Sequence, residues 1–480
     1  MSPAPAGRLH RAVGIETEYG VTSARPAPGG RGAPLSVEEA VREVFRDVSS
    51  PRSGTHRFTT SGARLYVDVG QHPEYAGPEC VWVSDVVAQD LAGDAVLASM
   101  TRAANARLEP RGARIHLLKS NTDAWGATFG CHENYQVGRG APLPLGGLVG
   151  LLAARQVLAG AGALPADGDG PGAGGSAGSD ELSRPLGPMR YSARAGHIHG
   201  AASADPTRER AFVNTRDEPH ADASRWRRLH VVAGDSAVSP WTTALKVVLV
   251  DAALTLVERG QWDLADCELA DPARAAHAWN REPNTACRRV GGRSAITCPD
   301  LVDLVLERLS ALAADEADDL TARVLDLAGR GAQALRSGRP GPVSTELDWA
   351  IKYRVLARVA ERAPAGWCDP RVRRAELAYH DLSTDTGLRE ALTAAGLMTP
   401  LIAPQDVADA RTRPPRGTRA GLRGRVVAAC ERTGRTASIG WAHVRLDEPP
   451  RSQIDLPDPQ QTEDADVEAL LSEIDALGPA

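Results

Sequence analysis

The pentapeptide Arg64-Leu65-Tyr66-Val67-Asp68 alternates polar and apolar side chains, and His72-Pro73-Glu74 follows almost at once. Strand side chains point to opposite faces in turn, so Arg64, Tyr66 and Asp68 share one face and Leu65, Val67 and Val69 the other. A packed sheet takes the apolar face. A cation, a phenol and a carboxylate are then left on an open one. Three further runs repeat the pattern. Glu16 and Glu18 share a face within Gly14–Gly20, His132 and Asn134 within Gly130–Tyr135, and Arg228, His230 and Val232 before Gly234-Asp235. A single run of this kind is what any half-solvated antiparallel strand shows. Four together describe a sheet whose open face handles charge, as phosphate, metal or proton transfer requires.

The rest of the chain supplies helices to back such a sheet. Ala12–Thr22 and Thr59–Gly70 read as strands, as do Ile115–Ser120, Glu133–Val137, Arg228–Gly234 and Ala437–Leu446. Ser36–Val48 has helical periodicity, and Ser84–Asn105 follows a Ser cap. Gly147–Leu158, Thr242–Glu258, Asp300–Arg336, Leu347–Arg362 and Leu388–Gly396 are further helical stretches. Residues 165–180 form a Gly-rich insertion, read as a disordered surface loop. Its glycines precede no Lys-Ser or Lys-Thr, so it is not a phosphate loop. A Pro-rich break at Arg413–Arg416 introduces a small terminal unit. The expected organisation is an α+β body over residues 1–410 and a small C-terminal domain over 411–480.

Bulk properties narrow the function classes. Over 480 residues the net charge is −6, which excludes a chain-wide basic field for nucleic acid. Only Lys119, Lys246 and Lys352 are lysines among 55 basic residues. The seven cysteines are scattered without a C-x-x-C pair, arguing against a zinc site or disulfide framework and for a reducing cytoplasm. The apolar run near Gly147–Leu164 is interrupted by Arg155 and Gln156, and no membrane span is read. Asn214–Asp222 is the densest polar run: either a solvated turn, or a loop holding phosphate through Arg216 and further groups through Asp217 and Glu218. Arg411–Arg435 carries eight arginines against one acid, Glu431. Without interleaved aromatics it reads as a phosphate- or acidic-partner site rather than a nucleic-acid surface.

Taken together these runs resemble the family of Pup–protein ligases and their sister, the deamidase of Pup. The resemblance spans nearly the whole chain. It is carried by Gly14–Gly20, Gly62–Asp68 with His72–Tyr75, Asn121-Thr122-Asp123, Gly130–Tyr135, Asn214–Asp222, Arg227–Val231, Ala378–Asp381 and Thr418–Arg425. It implies a glutamine-synthetase-like fold: a curved antiparallel sheet backed by helices, cradling ATP and Mg²⁺, with a small C-terminal domain. It also implies that ATP phosphorylates the C-terminal glutamate side chain of Pup, a prokaryotic ubiquitin-like protein, and that a lysine of a substrate protein attacks the acyl phosphate. By the same resemblance Glu16, Tyr66 and Glu74 match the magnesium site, Arg64, Gly77 and Trp441 the nucleotide contacts, and Asp68 the catalytic base. A lysine near its solution pKa of roughly 10.4 needs such a base at neutral pH.

The short spacing of 52 residues between Glu16 and Asp68 resembles the ligase branch, whereas Gly77-Pro78-Glu79-Cys80 is similar to the deamidase form. A depupylase or a weakened Pup-binding paralogue therefore stays open as an alternative. Departures from the family pattern are Gly77 in place of Thr, Ser120 in place of Asn, Ala237-Val238-Ser239-Pro240 in place of Asn-Met-Ser-Glu, and Leu182-Ser183-Arg184-Pro185 beside the insertion. Residues 452–480 carry eight acids and no base, with Val467, Leu470, Leu471, Ile474 and Leu477 at helical spacing. This is either a helix packed on the small domain or an imitation of acidic, helical Pup that occupies its groove.

Overall fold

The computed structural model describes residues 7–25, 34–48, 56–123, 126–165, 185–316 and 318–479. Its centre is a nine-stranded sheet ordered β3-β4-β5-β1-β8-β11-β10-β9, with β6 also paired to β1. These are β1 (Arg8–Glu18), β3 (Arg57–Phe58), β4 (Arg64–Asp68), β5 (His72–Ala76), β6 (Cys80–Trp82), β8 (Cys131–Gly138), β9 (Gly200–Ser203), β10 (Ala211–Asn214) and β11 (Trp226–Val231). All pairs are antiparallel except β9 with β10, so the sheet is mixed rather than wholly antiparallel as expected. The four polar runs fall on β1, β4, β8 and β11. In the register Glu18 stands opposite Glu74 and Tyr66 opposite Glu74, while Glu16 stands opposite His132. Farther along, Asn134 stands opposite both Gly14 and His230. The alternation seen in each strand thus adds up across the sheet to one continuous polar face.

The other face is apolar and is covered by helices. Val13, Ile15, Tyr135, Leu229 and Val231 join the largest core cluster with helices Val83–Leu108, Leu145–Leu158 and Pro240–Glu258. Leu65, Tyr75 and Tyr19 pack in a second cluster with Val44, Phe45, Leu97 and Ile115. The core behind the sheet also holds paired charge. Lys119 Nζ lies 2.9 Å from Asp90 and 3.1 Å from Asp94, and Asp94 further accepts from Tyr19 at 2.7 Å and Arg389 at 2.6 Å. Of the described helices, Pro240–Glu258 alone is long and apolar enough to cross a membrane, and its residues from Pro240 to Val257 are buried in this core.

Several expected boundaries move for local reasons. The first strand divides at Tyr19, where β2 (Gly20–Ala24) leaves to pair with β7 (Arg114–Leu118) in a separate ribbon. The helix Val37–Phe45 begins at Ser36, which forms a full capping box with Glu39. The span Asp300–Arg336 is two helices, Cys298–Glu316 and Asp319–Ser337, because Asp318 caps the second. Pro240 opens its helix at the first turn, where a missing N–H costs nothing. Ala237 and Val238 before it are buried, and none of the three lines the cavity described below. The Gly-rich insertion, beyond Pro165, and Leu182-Ser183-Arg184 lie outside the described residues.

The C-terminal segment builds a small core of its own. Leu422, Val426 and Ala429 of helix Ala420–Thr433 pack with Val444, Leu446, Leu456, Val467, Leu470 and Ile474. The strand read over Ala437–Leu446 is a hairpin, β12 (Ala437–Ile439) and β13 (His443–Leu446), with β14 (Ile454–Asp455) on its far side. The acidic tail is helix Ala465–Leu477, capped by Asp464. Val467, Leu470 and Ile474 face this core, and Glu468, Asp475 and Glu473 pair with Arg425, Arg432 and Arg451. Both faces are thus engaged on the helix's own unit, and the idea that it occupies a groove for Pup is set aside. The arginine-rich stretch is not the open acidic-partner site expected: Arg413, Arg416, Arg419, Arg423, Arg425 and Arg432 pair with acids of this chain, and Arg435 donates to backbone carbonyls.

Candidate active site

The polar face opens onto a cavity of about 260 Å³ lined by Gly14, Glu16, Arg64, Tyr66, Gly77 and Trp441, among others. The structure therefore brings Glu16, Arg64, Tyr66, Gly77 and Trp441, separated by up to hundreds of residues in sequence, to one place. Arg64 lies over the Tyr66 ring, its guanidinium carbon 4.6 Å from the centroid, and donates to His56 Nδ1 at 2.9 Å. Trp441 reaches the cavity from the loop between β12 and β13 and meets Phe58 edge-on at 5.1 Å. Gly77 donates its N–H to Ile15 O at 2.8 Å. A Cβ there would stand 3.1 Å from that same oxygen, so the backbone approaches β1 more closely than Thr would readily allow.

Beyond Tyr66 the carboxylates crowd. One oxygen from each of Glu18, Asp68 and Glu74 lies within 4.8 Å of the others. Tyr66 donates its hydroxyl to Glu74. Burial, then the charge of Glu74 and Glu16, pushes the phenol far above its usual range, so it stays neutral and donates. Glu74 is itself pushed well up, first by burial and then by Glu16, against the bond from Tyr66. A buried carboxylate that resists ionisation because other carboxylates surround it is a place short of positive charge. Oxygen donors at this spacing suit a hard divalent cation.

Glu16 is differently placed. His132 Nδ1 lies 3.4 Å from it, and Asn134 donates to it at 2.8 Å. Burial resists its ionisation, yet the bond from His132 and nearby positive charge hold its carboxyl well below the usual range. His230, buried beside it, is pushed down to about 3 by burial, and so is neutral at pH 7. Single ligating atoms of Glu16, His132 and His230 also lie within 4.8 Å of one another. Arg228 donates to Asn134 at 3.2 Å and Glu218 at 3.3 Å, so the loop Asn214–Asp222 closes the cavity edge through Glu218, Pro219 and His220. Arg216 and Asp217 turn elsewhere: Arg216 donates to Ala204 O, and Asp217 pairs with Arg139.

Sequence reasoning placed Glu18, His132, Arg228 and His230 on polar faces but gave none of them a site role. Strand period found them; only the register shows how close they come to Glu16 and Glu74. Glu79 and Arg419 also line the cavity; the sequence showed them only within longer motifs and gave neither a place beside Gly77 and Trp441. Their pairing joins residues 340 apart, which no local pattern reveals.

The sequence profile described as Pup-ligase protein matches residues 11–445. The chain belongs to the Pup-ligase family. Two curated relatives named Pup–protein ligase agree along their whole length. The one from Xylanimonas cellulosilytica is 39% identical over 474 residues, covering 96% of this chain and 99% of its own. That from Sanguibacter keddieii is 38% identical over 470 residues, covering 96% and 98%. Among solved structures, the complex between prokaryotic ubiquitin-like protein Pup and its ligase PafA is similar at TM-score 0.86 and 31% identity, covering 98% of this chain and 93% of that one. The Pup ligase PafA in complex with ADP is similar at TM-score 0.79 and 30% identity, covering 95% and 97%. The α+β fold with a helix-backed sheet is the fold of these Pup ligases, and the family expected from the motifs is the family found.

Proposed function

We propose that the chain is an ATP-dependent Pup–protein ligase that joins the side-chain carboxylate of Pup's C-terminal glutamate to lysines of substrate proteins. The observation that carries this is the convergence of Glu18, Asp68 and Glu74 on the sheet face that also forms the cavity lined by Glu16, Arg64, Tyr66 and Trp441, in a chain of this family. In this reading ATP lies along the open sheet face, with Gly77 and Trp441 beside it and Arg64 against its phosphates. Glu16 and Glu74 would hold Mg²⁺, with Tyr66 steadying Glu74 through its hydroxyl. Bound there, Mg²⁺ supplies charge neutralisation for the phosphate oxygens. Arg64 meets the charge that develops as the phosphoryl group moves to the Pup carboxylate. The resulting glutamyl phosphate is attacked by a lysine amine, phosphate leaves, and Asp68 takes the amine's proton.

The same proposal divides the chain near residue 410. A cytoplasmic setting, where thiols stay reduced, suits its seven free cysteines. The test is direct. The purified chain is incubated with Pup ending in Glu, ATP, Mg²⁺ and a lysine-bearing protein. A Pup-sized mass increase that depends on ATP is the expected result. Release of Pup from a pre-formed conjugate without net joining would instead establish the hydrolytic alternative.

A further inference from the structure

Glu79 sits two residues after Gly77, and its carboxylate is the meeting point of two buried arginines from the C-terminal unit. Arg419 Nε lies 2.8 Å from Glu79, and Arg423 donates to it at 2.6 Å and 3.2 Å. Each arginine then reaches on to a different segment. Arg419 donates to His220 O at 2.7 Å and Leu456 O at 2.6 Å. Arg423 donates to Trp441 O at 2.9 Å and Gly62 O at 2.9 Å, with its guanidinium 5.0 Å from the Trp441 ring. Three of the segments tied together carry the candidate nucleotide contacts: Gly62 precedes Arg64, Glu79 follows Gly77, and Trp441 is itself held. The docking is close. A Cβ on Gly62, which has φ +80°, would stand 2.9 Å from Ala420 O, and one on Gly424 would stand 2.2 Å from Thr60 O.

We propose that Glu79, through Arg419 and Arg423, is a positioning residue that assembles the nucleotide end of the cavity from the sheet and the C-terminal unit. The charge pattern favours this over simple cohesion. A carboxylate shared by two guanidinium forks fixes direction as well as distance. Those forks spend their remaining donors on backbone carbonyls, two of them those of the cavity-lining residues His220 and Trp441 and a third that of Gly62, two residues before Arg64.

The inference rests on the nucleotide reading of that cavity, and a double-mutant cycle separates the two. ATP affinity is measured by calorimetry for the full chain, Trp441→Ala, Glu79→Gln and the double variant. Failure of the full chain to bind ATP would reject the nucleotide reading itself. If it binds, each single substitution is expected to weaken binding about tenfold, and the double to weaken it little further, because Trp441 is already displaced without Glu79. In turnover, Glu79→Gln is expected to raise KM for ATP while kcat at saturating ATP stays. Effects that multiply, or a fall in kcat with KM unchanged, would overturn the proposal. Should Glu79→Gln fail to fold, Arg423→Lys, which keeps the charge and removes the fork, enters the same cycle with the same two outcomes.

Discussion

Two groups of carboxylates lie on opposite sides of the central sheet, and they differ in what answers their charge. Behind it, Asp90 and Asp94 are buried, and Lys119, Arg389, Tyr19 and Thr243 donate to them. In front, Glu18, Asp68 and Glu74 converge; Tyr66 donates to Glu74 and His132 Nε2 lies 3.8 Å from Glu18, but among the described residues no lysine or arginine pairs with any of the three. Both groups are acidic and substantially buried, so composition alone would rank them alike. Satisfied charge holds the fold together, whereas unanswered charge marks where something else is to bind. Glu79 stands between the two cases, lining the cavity yet fully engaged by arginines.

The sharpest way to break this comparison is on the open side. Asp68→Asn is expected to lower conjugation by about 10²–10⁴-fold, the span of a lost general base, while ATP still binds. Robust conjugation by that variant in a gel-shift assay would remove Asp68 from the role of base.

Lys119→Met tests the closed side. It leaves Asp90 and Asp94 buried without their lysine, and should cost about 3–5 kcal/mol in denaturant unfolding. Its effect on ATP affinity should stay within about twofold, the additivity expected of distant sites. A large loss of affinity with little loss of stability would reverse the assignment of the two groups.

Glu79→Gln probes the intermediate case through pH. Burial works against ionisation of Glu79, but Arg423 and Arg419 outweigh it and bring its carboxyl from the usual 4.5 down to about 2. A folded-state value below the unfolded one adds stability above pH 4.5 that is lost as pH falls toward 2. The difference corresponds to something on the order of 3 kcal/mol at pH 7. The gap in unfolding free energy between the native chain and Glu79→Gln should therefore narrow steadily below pH 4.5. A gap constant down to pH 3 would assign the loss to shape rather than charge.

The smallest effect belongs to Tyr66→Phe, which removes only the hydroxyl that Glu74 accepts. The Mg²⁺ concentration for half-maximal activity should rise about tenfold, as when a group that supports a metal ligand is lost. An unchanged requirement would separate Tyr66 from the metal site.

Much of the site was legible because strand geometry is strict. Period two placed Arg64, Tyr66 and Asp68 on one face from five letters, and did the same for Glu16 with Glu18 and His132 with Asn134. The unusual motifs carried the family. Other parts were illegible for identifiable reasons. The arginines at 419 and 423 looked like a surface for an outside acid because their partner, Glu79, is 340 or more residues away. The acidic tail looked free to imitate another protein, because charge counts do not reveal that Arg425, Arg432 and Arg451 already stand opposite it. Pro240 stood out only as a departure from the family pattern, and its place in the first turn of a helix, where no backbone hydrogen bond is lost, depends on where that helix starts.

By itself the sequence determined which residues share a face, where several helices run, and which family the chain resembles. These depend on neighbours a few positions apart, and backbone geometry fixes them locally. Only the tertiary structure decided that β1, β4, β8 and β11 lie in one sheet with their polar faces aligned. It also decided that Trp441 meets Arg64 and Gly77 at one cavity, and that Glu79 is answered from the far end of the chain. Such pairings follow from burial and charge balance summed over the whole fold, and no window of sequence contains both partners.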